Sequence, residues 1–323
     1  MDVNKAPAGT RITLTLSTTA INLTAMIALL LALASIDPDA GTTGFDFLRI
    51  PPTSREAAMG GATAAVAGGP TSFWYNPAHA CSDQPTKAQV GYLNYIAGIH
   101  VGSLAYNQQL SDHQGIGAAV VYLNSGTMKR TNEQGEELGK FGVSYTDINV
   151  SGAMKVLPDL NIGVGVQGLY GSIDTFFSLG LAANVGAAYQ LPVTGLRAGL
   201  SVTNLGYQLK AFQAGRDPMP IDIGLGLGYQ PNPALTVGLD VHKPIDSRIN
   251  VRFGIEGLVA DVLVVRGGYS SLGSDWTSGG GSDVLAGLTT GLGFRYRGYQ
   301  LDYCFIPMVE LGMAHRLSLA FSL

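Results

Sequence analysis

The five residues 79-HACSD-83 bring an imidazole, a thiol, a hydroxyl and a carboxylate together, a set that could bind a metal or activate a nucleophile. Zinc needs about four ligands in a tetrahedral array, commonly from two spaced pairs. No second pair completes this one: His100, His113, His242 and His315 are dispersed, and neither His-Glu-x-x-His nor Cys-x-x-Cys occurs. Nucleophilic catalysis fares no better. The chain has no Gly-x-Ser-x-Gly turn, and Ser270, Ser271 and Asp275 of 269-YSSLGSDW-276 have no histidine in local register. Gly60-Gly61 and Gly68-Gly69 lack the following Lys-Ser/Thr of a phosphate loop. The expectation is a protein that is not an enzyme, with no catalytic residue, no metal and no cofactor. Cys81 and Cys304 either pair in an oxidising compartment or stay two small unpaired residues, the simpler reading.

Charges that recur with a rhythm are more telling. In 248-RINVRFGIEGL-258, Arg252 and Glu256 share one register while Ile249, Val251, Phe253 and Ile255 share the other, the two-residue period of a strand. The same polar register elsewhere holds Asp222, Asp240, Arg266, Arg295 and Arg297. On a lipid face an Arg or Lys costs about 2–4 kcal/mol at the bilayer midplane, whereas inside a barrel it is hydrated or paired. These residues are expected to form a lumen network.

Composition points the same way. Only 13% of the 323 residues are charged, against 46% hydrophobic and 44 glycines, a poor coat for a soluble surface. The net charge is −4 and no basic run exceeds Lys129-Arg130, so nucleic acid is not an expected partner. Near the N-terminus Lys5 and Arg11 precede 25-AMIALLLALA-34. That run is too short for a membrane helix and, with Ala32 and Ala34 before a cut, reads as an export signal over 1–34, cleavage near Ala40 being the alternative. An exported chain with no other helix-length apolar run must span a membrane as strands, if it spans one.

Alternating segments near 88–97, 99–110, 115–126, 143–157, 161–172, 178–190, 196–207, 220–230, 234–243, 247–259, 261–271, 285–297, 299–308 and 312–323 give fourteen strands. The long connections 127–142, 173–177, 208–219 and 272–284 all fall on one side, and the opposite turns are terse, as in an outer-membrane barrel. Residues 35–87 differ: Pro51-Pro52, a helix candidate from Ser54 to Ala58, paired glycines, and Phe73-Trp74-Tyr75 before Asn76-Pro77. They read as short helical turns and loops at or inside the periplasmic mouth. The expected fold is all-β, a 14-stranded antiparallel transmembrane β-barrel over 88–323 in the bacterial outer membrane, with a short N-terminal helical and loop plug. The exposed loops are where recognition is expected. Their candidate partner-binding residues are Lys129, Arg130, Glu133, Glu136, Glu137, Lys140, Lys210, Arg216, Asp275 and Trp276.

Six segments carry a family likeness: 47-FLRIPPTSREAAMGG-61, 73-FWYNPA-78, 91-GYLNYIAGIHVGSLAYNQ-108, 126-GTMKRTNEQGEELGKF-141, 203-TNLGYQLKAF-212 and 217-DPMPIDIGLG-226. With them the chain resembles the PorV/PorQ family of outer-membrane barrels, nearest its PorQ members and structurally akin to FadL-type transporters. One departure from the barrel pattern is the terminal Leu323, where an aromatic is usual. The resemblance implies a scaffold and anchor of the type IX secretion attachment machinery, facing outer-membrane lipid and lipopolysaccharide. Its implied partners are a PorZ-like surface protein and PorU- and PorV-like components. The alternative is a FadL-like passage for hydrophobic solutes, which needs an apolar pocket. The ionic lumen register favours the scaffold.

Overall fold

The computed structural model describes residues 38–82, 87–277 and 279–322. The expected signal peptide over 1–34, Asp83 of the first candidate cluster and the terminal Leu323 lie outside them. The strands are β1 (Ala88–Asn94), β2 (His100–Ser111), β3 (Gln114–Asn124), β4 (Met128–Thr131), β5 (Glu137–Phe141), β6 (Val143–Leu157), β7 (Leu160–Ile173) and β8 (Phe176–Gln190). They continue as β9 (Leu196–Lys210), β10 (Asp222–Asn232), β11 (Leu235–Pro244), β12 (Asn250–Val259), β13 (Leu263–Ser270), β14 (Leu288–Tyr296), β15 (Tyr299–Pro307) and β16 (Met313–Phe321).

Alternation explains why they form a barrel. β3 buries every second residue, and β10 exposes Ile223, Leu225, Leu227 and Tyr229 while Gly224, Gly226 and Gly228 turn inward. Leu104, Val164, Leu225 and Leu292, on four different strands, each expose more than half of their surface. A continuous apolar exterior of this kind belongs against lipid. All strands but β4 and β5 close into the 14-stranded antiparallel barrel, with Ala88 of β1 opposite Phe321 of β16. Closure satisfies the backbone groups that lipid would leave unpaired. The protein is thus an all-β barrel of the outer membrane.

The connections are sided, with two departures from the sequence expectation. The loop over 127–142 contains the β4–β5 hairpin, whose turn is fixed by Asn132: its Oδ1 accepts from the backbone nitrogens of Gln134 and Glu136 at 3.1 and 2.8 Å. The expected loop over 173–177 is instead a two-residue turn between β7 and β8, with Asp174 at φ 57°. Asp tolerates that left-handed conformation better than most residues.

The N-terminal segment fills the lumen. It contains a 3-10 turn at Asp46–Arg49, the helices α1 (Ser54–Ala58) and α2 (Ser72–Tyr75), and a 3-10 turn at Pro77–Cys81. It reaches well beyond the periplasmic mouth. Gly44 donates its backbone N–H to the carbonyl of Pro218 in an outer loop at 2.9 Å, and Phe47 stacks on Tyr145 with ring centroids 5.0 Å apart. The inward glycines make room for it. A Cβ on Gly199 would run into the backbone carbonyl of Ala64, and one on Gly268 would run into the backbone of Met59 and Gly60. Glycine in these strands gives up intrinsic strand preference so that a second backbone can approach.

Candidate functional site: a cavity between plug and wall

The inward charges do two different jobs. Glu256 on β12 accepts from Arg55 of α1 at 2.9 and 3.0 Å and from Arg266 of β13 at 2.6 Å. Arg266 also donates to Asp302 of β15 at 2.7 Å. This chain of alternating charge ties the plug helix to three strands and is buried. Asp240 on β11 does similar work without a cation, accepting from the backbone nitrogens of Thr63 and Ala64 at 2.6 and 2.7 Å. Asp302 is not among the lumen residues expected from sequence, and Arg55 enters there only as part of the family-like segment 47–61. Asp302 alternates with Leu301 and Tyr303 and was open to the same register argument, whereas nothing in the local pattern of α1 marks Arg55 as a wall contact.

The second job is polar lining. His242 of β11 donates from Nδ1 to Asp222 Oδ2 at 2.7 Å, leaving Nε2 to accept from Arg252 Nη1 at 3.4 Å. Arg252 reaches Asp222 at only 4.0 Å and the carbonyl of Gly61 at 3.5 Å. Arg295 faces inward near the periplasmic end, donating to Gln300 at 2.8 Å. Arg297 does not join the network. It lies with Gly298 in the β14–β15 turn, both at positive φ (48° and 84°), and its guanidinium sits 5.2 Å from the centre of the Tyr296 ring. A two-residue hairpin turn of this form takes its first residue out of the strand alternation.

The loop candidates do not converge on one surface. Lys129 pairs with Glu137 at 2.9 Å across the hairpin, Arg130 pairs with Asp174, and Asn132 donates to Glu136 at 2.7 Å. Glu133 and Lys140 are exposed. Lys210 stands 3.1 Å from the centre of the Phe177 ring, and Arg216 lies 3.5 Å from the carbonyl of Leu209. Asp275 holds Arg248 at 2.6 Å, and Trp276 turns toward the interior. Among the described residues no cluster of three or more His, Cys, Asp and Glu is placed to hold a metal. Cys81 and Cys304 are both buried and unpaired.

What does converge is a cavity of about 440 Å³ between the plug and the outer half of the wall. Its lining includes the apolar Trp74, Tyr75, Tyr95, Ile306, Met308 and Trp276, and among its polar members Asp222, His242, Arg252, Arg49 and Arg316. Its size lies within the range of small-molecule sites, about 300–1,000 Å³. The ionic register therefore leaves room for an apolar lining in the lumen. Its most strongly paired members, Glu256 and Arg266, seat the plug.

No family model and no curated protein matches this sequence. Solved structures do match its fold. The toluene transporter TodX of Pseudomonas putida aligns at 12% identity over 83% of this chain and 96% of its own, with a TM-score of 0.58. A FadL homologue of Pseudomonas aeruginosa aligns at 12% identity over 84% and 99%, TM-score 0.55, and the monoaromatic hydrocarbon channel CymD at 12% over 85% and 98%, TM-score 0.56. These likenesses correct the reading as a PorV/PorQ-type secretion scaffold with PorZ-, PorU- and PorV-like partners. The segments that suggested it have a structural use of their own: 47–61 and 73–78 are in the plug packed inside the wall, and of the charges of 126–141 Lys129, Glu136 and Glu137 are engaged on the hairpin itself. The fourteen-stranded barrel of this chain thus shares its fold with TodX, CymD and the FadL homologue.

Proposed function

We propose that this protein is a passage for small hydrophobic solutes across the outer membrane. The observation that carries the reading is the outer cavity, whose aromatic and aliphatic flank is kept by the plug inside a closed barrel. A solute entering it exchanges water for apolar contact, worth roughly 25 cal/mol per Å² of apolar surface buried. The fold likeness to a toluene transporter and a monoaromatic hydrocarbon channel supports that choice of solute.

The cavity carries its own reporter. The chain has two tryptophans, Trp74 and Trp276, and both line it. Toluene titrated into the purified barrel in detergent should shift or quench tryptophan emission along a saturating curve. Emission indifferent to toluene up to its solubility limit contradicts the proposal.

A further inference from the structure

The cavity is not uniformly apolar, and its polar flank is only partly satisfied from within. Asp222 and Arg252 keep 20% and 18% of their side-chain surface open. Asp222 accepts from His242 at Oδ2, which keeps a second lone pair and lies 4.0 Å from the Arg252 guanidinium, while Oδ1 is buried without a partner among the described residues. The Arg252 guanidinium has its nearest polar contacts at 3.4, 3.5 and 4.0 Å, long for hydrogen bonds that involve an ion. Asp222 Oδ2 and Arg252 thus offer an acceptor and a donor side by side in a cavity that Trp74, Trp276 and Met308 also line.

A pure hydrocarbon filling this space displaces water from both groups and returns nothing to either, and an unanswered buried polar group is costly. A carboxylate answers Arg252 but sets its charge against Asp222. A hydroxyl satisfies both, because its hydrogen can go to a carboxylate while its oxygen accepts from a guanidinium. We infer that the preferred solute is a hydroxylated aromatic of the phenol class, its ring on the tryptophan and methionine flank and its hydroxyl between Asp222 and Arg252. The inference rests on the passage proposed above and narrows its substrate. Sites that hydrogen-bond a substrate hydroxyl discriminate strongly against the analogue that lacks it.

The test compares initial uptake of p-cresol and toluene, matched in ring and methyl group, into proteoliposomes containing the full barrel, after subtraction of protein-free liposomes. Wild type should favour p-cresol by about tenfold or more, and Asp222→Leu should bring that ratio toward one. Equal protein-dependent rates for the two solutes in wild type overturn this inference and leave the passage standing. So does a ratio that survives Asp222→Leu. Passage of neither solute overturns both. Where Asp222→Leu does not insert, the wild-type ratio alone decides, and Asp222→Ala, which also removes the acceptor, supplies the variant.

Discussion

Glu256 holds two guanidinium groups at once, and its loss is the most damaging single change expected in the lumen. With Leu in its place Arg55 keeps only a distant contact to Glu56 at 3.9 Å, and breaking a buried pair by removing one partner costs about 3–5 kcal/mol. Urea unfolding of Glu256→Leu in detergent should show a loss of that size, against a small effect for Glu133→Leu in the exposed hairpin. His79 gives a pH dependence. It lies in the plug with Nε2 3.2 Å from the Thr63 carbonyl oxygen, and burial holds its imidazole down at about 4. A base whose folded value lies below its unfolded value of about 6.5 contributes a seat that is intact above that pH. The seat weakens as pH falls toward about 4, because the displaced plug takes the proton more readily. Leak conductance in planar bilayers should rise on going from about pH 7 to about pH 4.5, less so in His79→Gln. The strict period of a strand assigns Arg252, Glu256 and Arg266 to one register, and the structure places their side chains away from the lipid face. Arg55 and His79 were not legible in this way, because the irregular plug has no period from which to read a direction.

At the scale of elements, the plug and the inward glycines fit each other. Gly199→Val would thrust a branched side chain into the carbonyl of Ala64. That variant should still insert and migrate as a heat-modifiable barrel, but with a raised single-channel conductance. Unchanged conductance would mean that the plug is not seated there. Strand number and the α1 helix at Ser54–Ala58 could be read from alternation and from the small-residue run. The β4–β5 hairpin could not, since its residues are nearly all exposed and carry no buried face to impose a period. The long β7–β8 hairpin extends to a two-residue turn for the same kind of reason: Asp174 marks the turn, while Phe176 and Phe177 read as loop until they are paired with Ile173 and Ser172.

For the whole molecule, the wall separates lipid from plug, and the cavity lies between plug and wall. Leu225 lies on the lipid side with 60% of its surface exposed. Leu225→Arg should destabilise the barrel by up to about 2–4 kcal/mol in lipid, depending on its depth in the bilayer, read from urea folding in vesicles; Gln134→Arg in the exposed outer hairpin should be near neutral. The family-like segments misled at this scale because plug and hairpin residues answer to packing, and packing inside a barrel does not say what the barrel carries. The claim that unites the structure is that an apolar solute crosses through it. The most direct measurement is the rate of toluene entry into sealed proteoliposomes against protein-free vesicles and vesicles bearing an unrelated barrel of similar size. A protein-dependent, saturable rate is the expected result; entry no faster than through bare lipid would contradict the account.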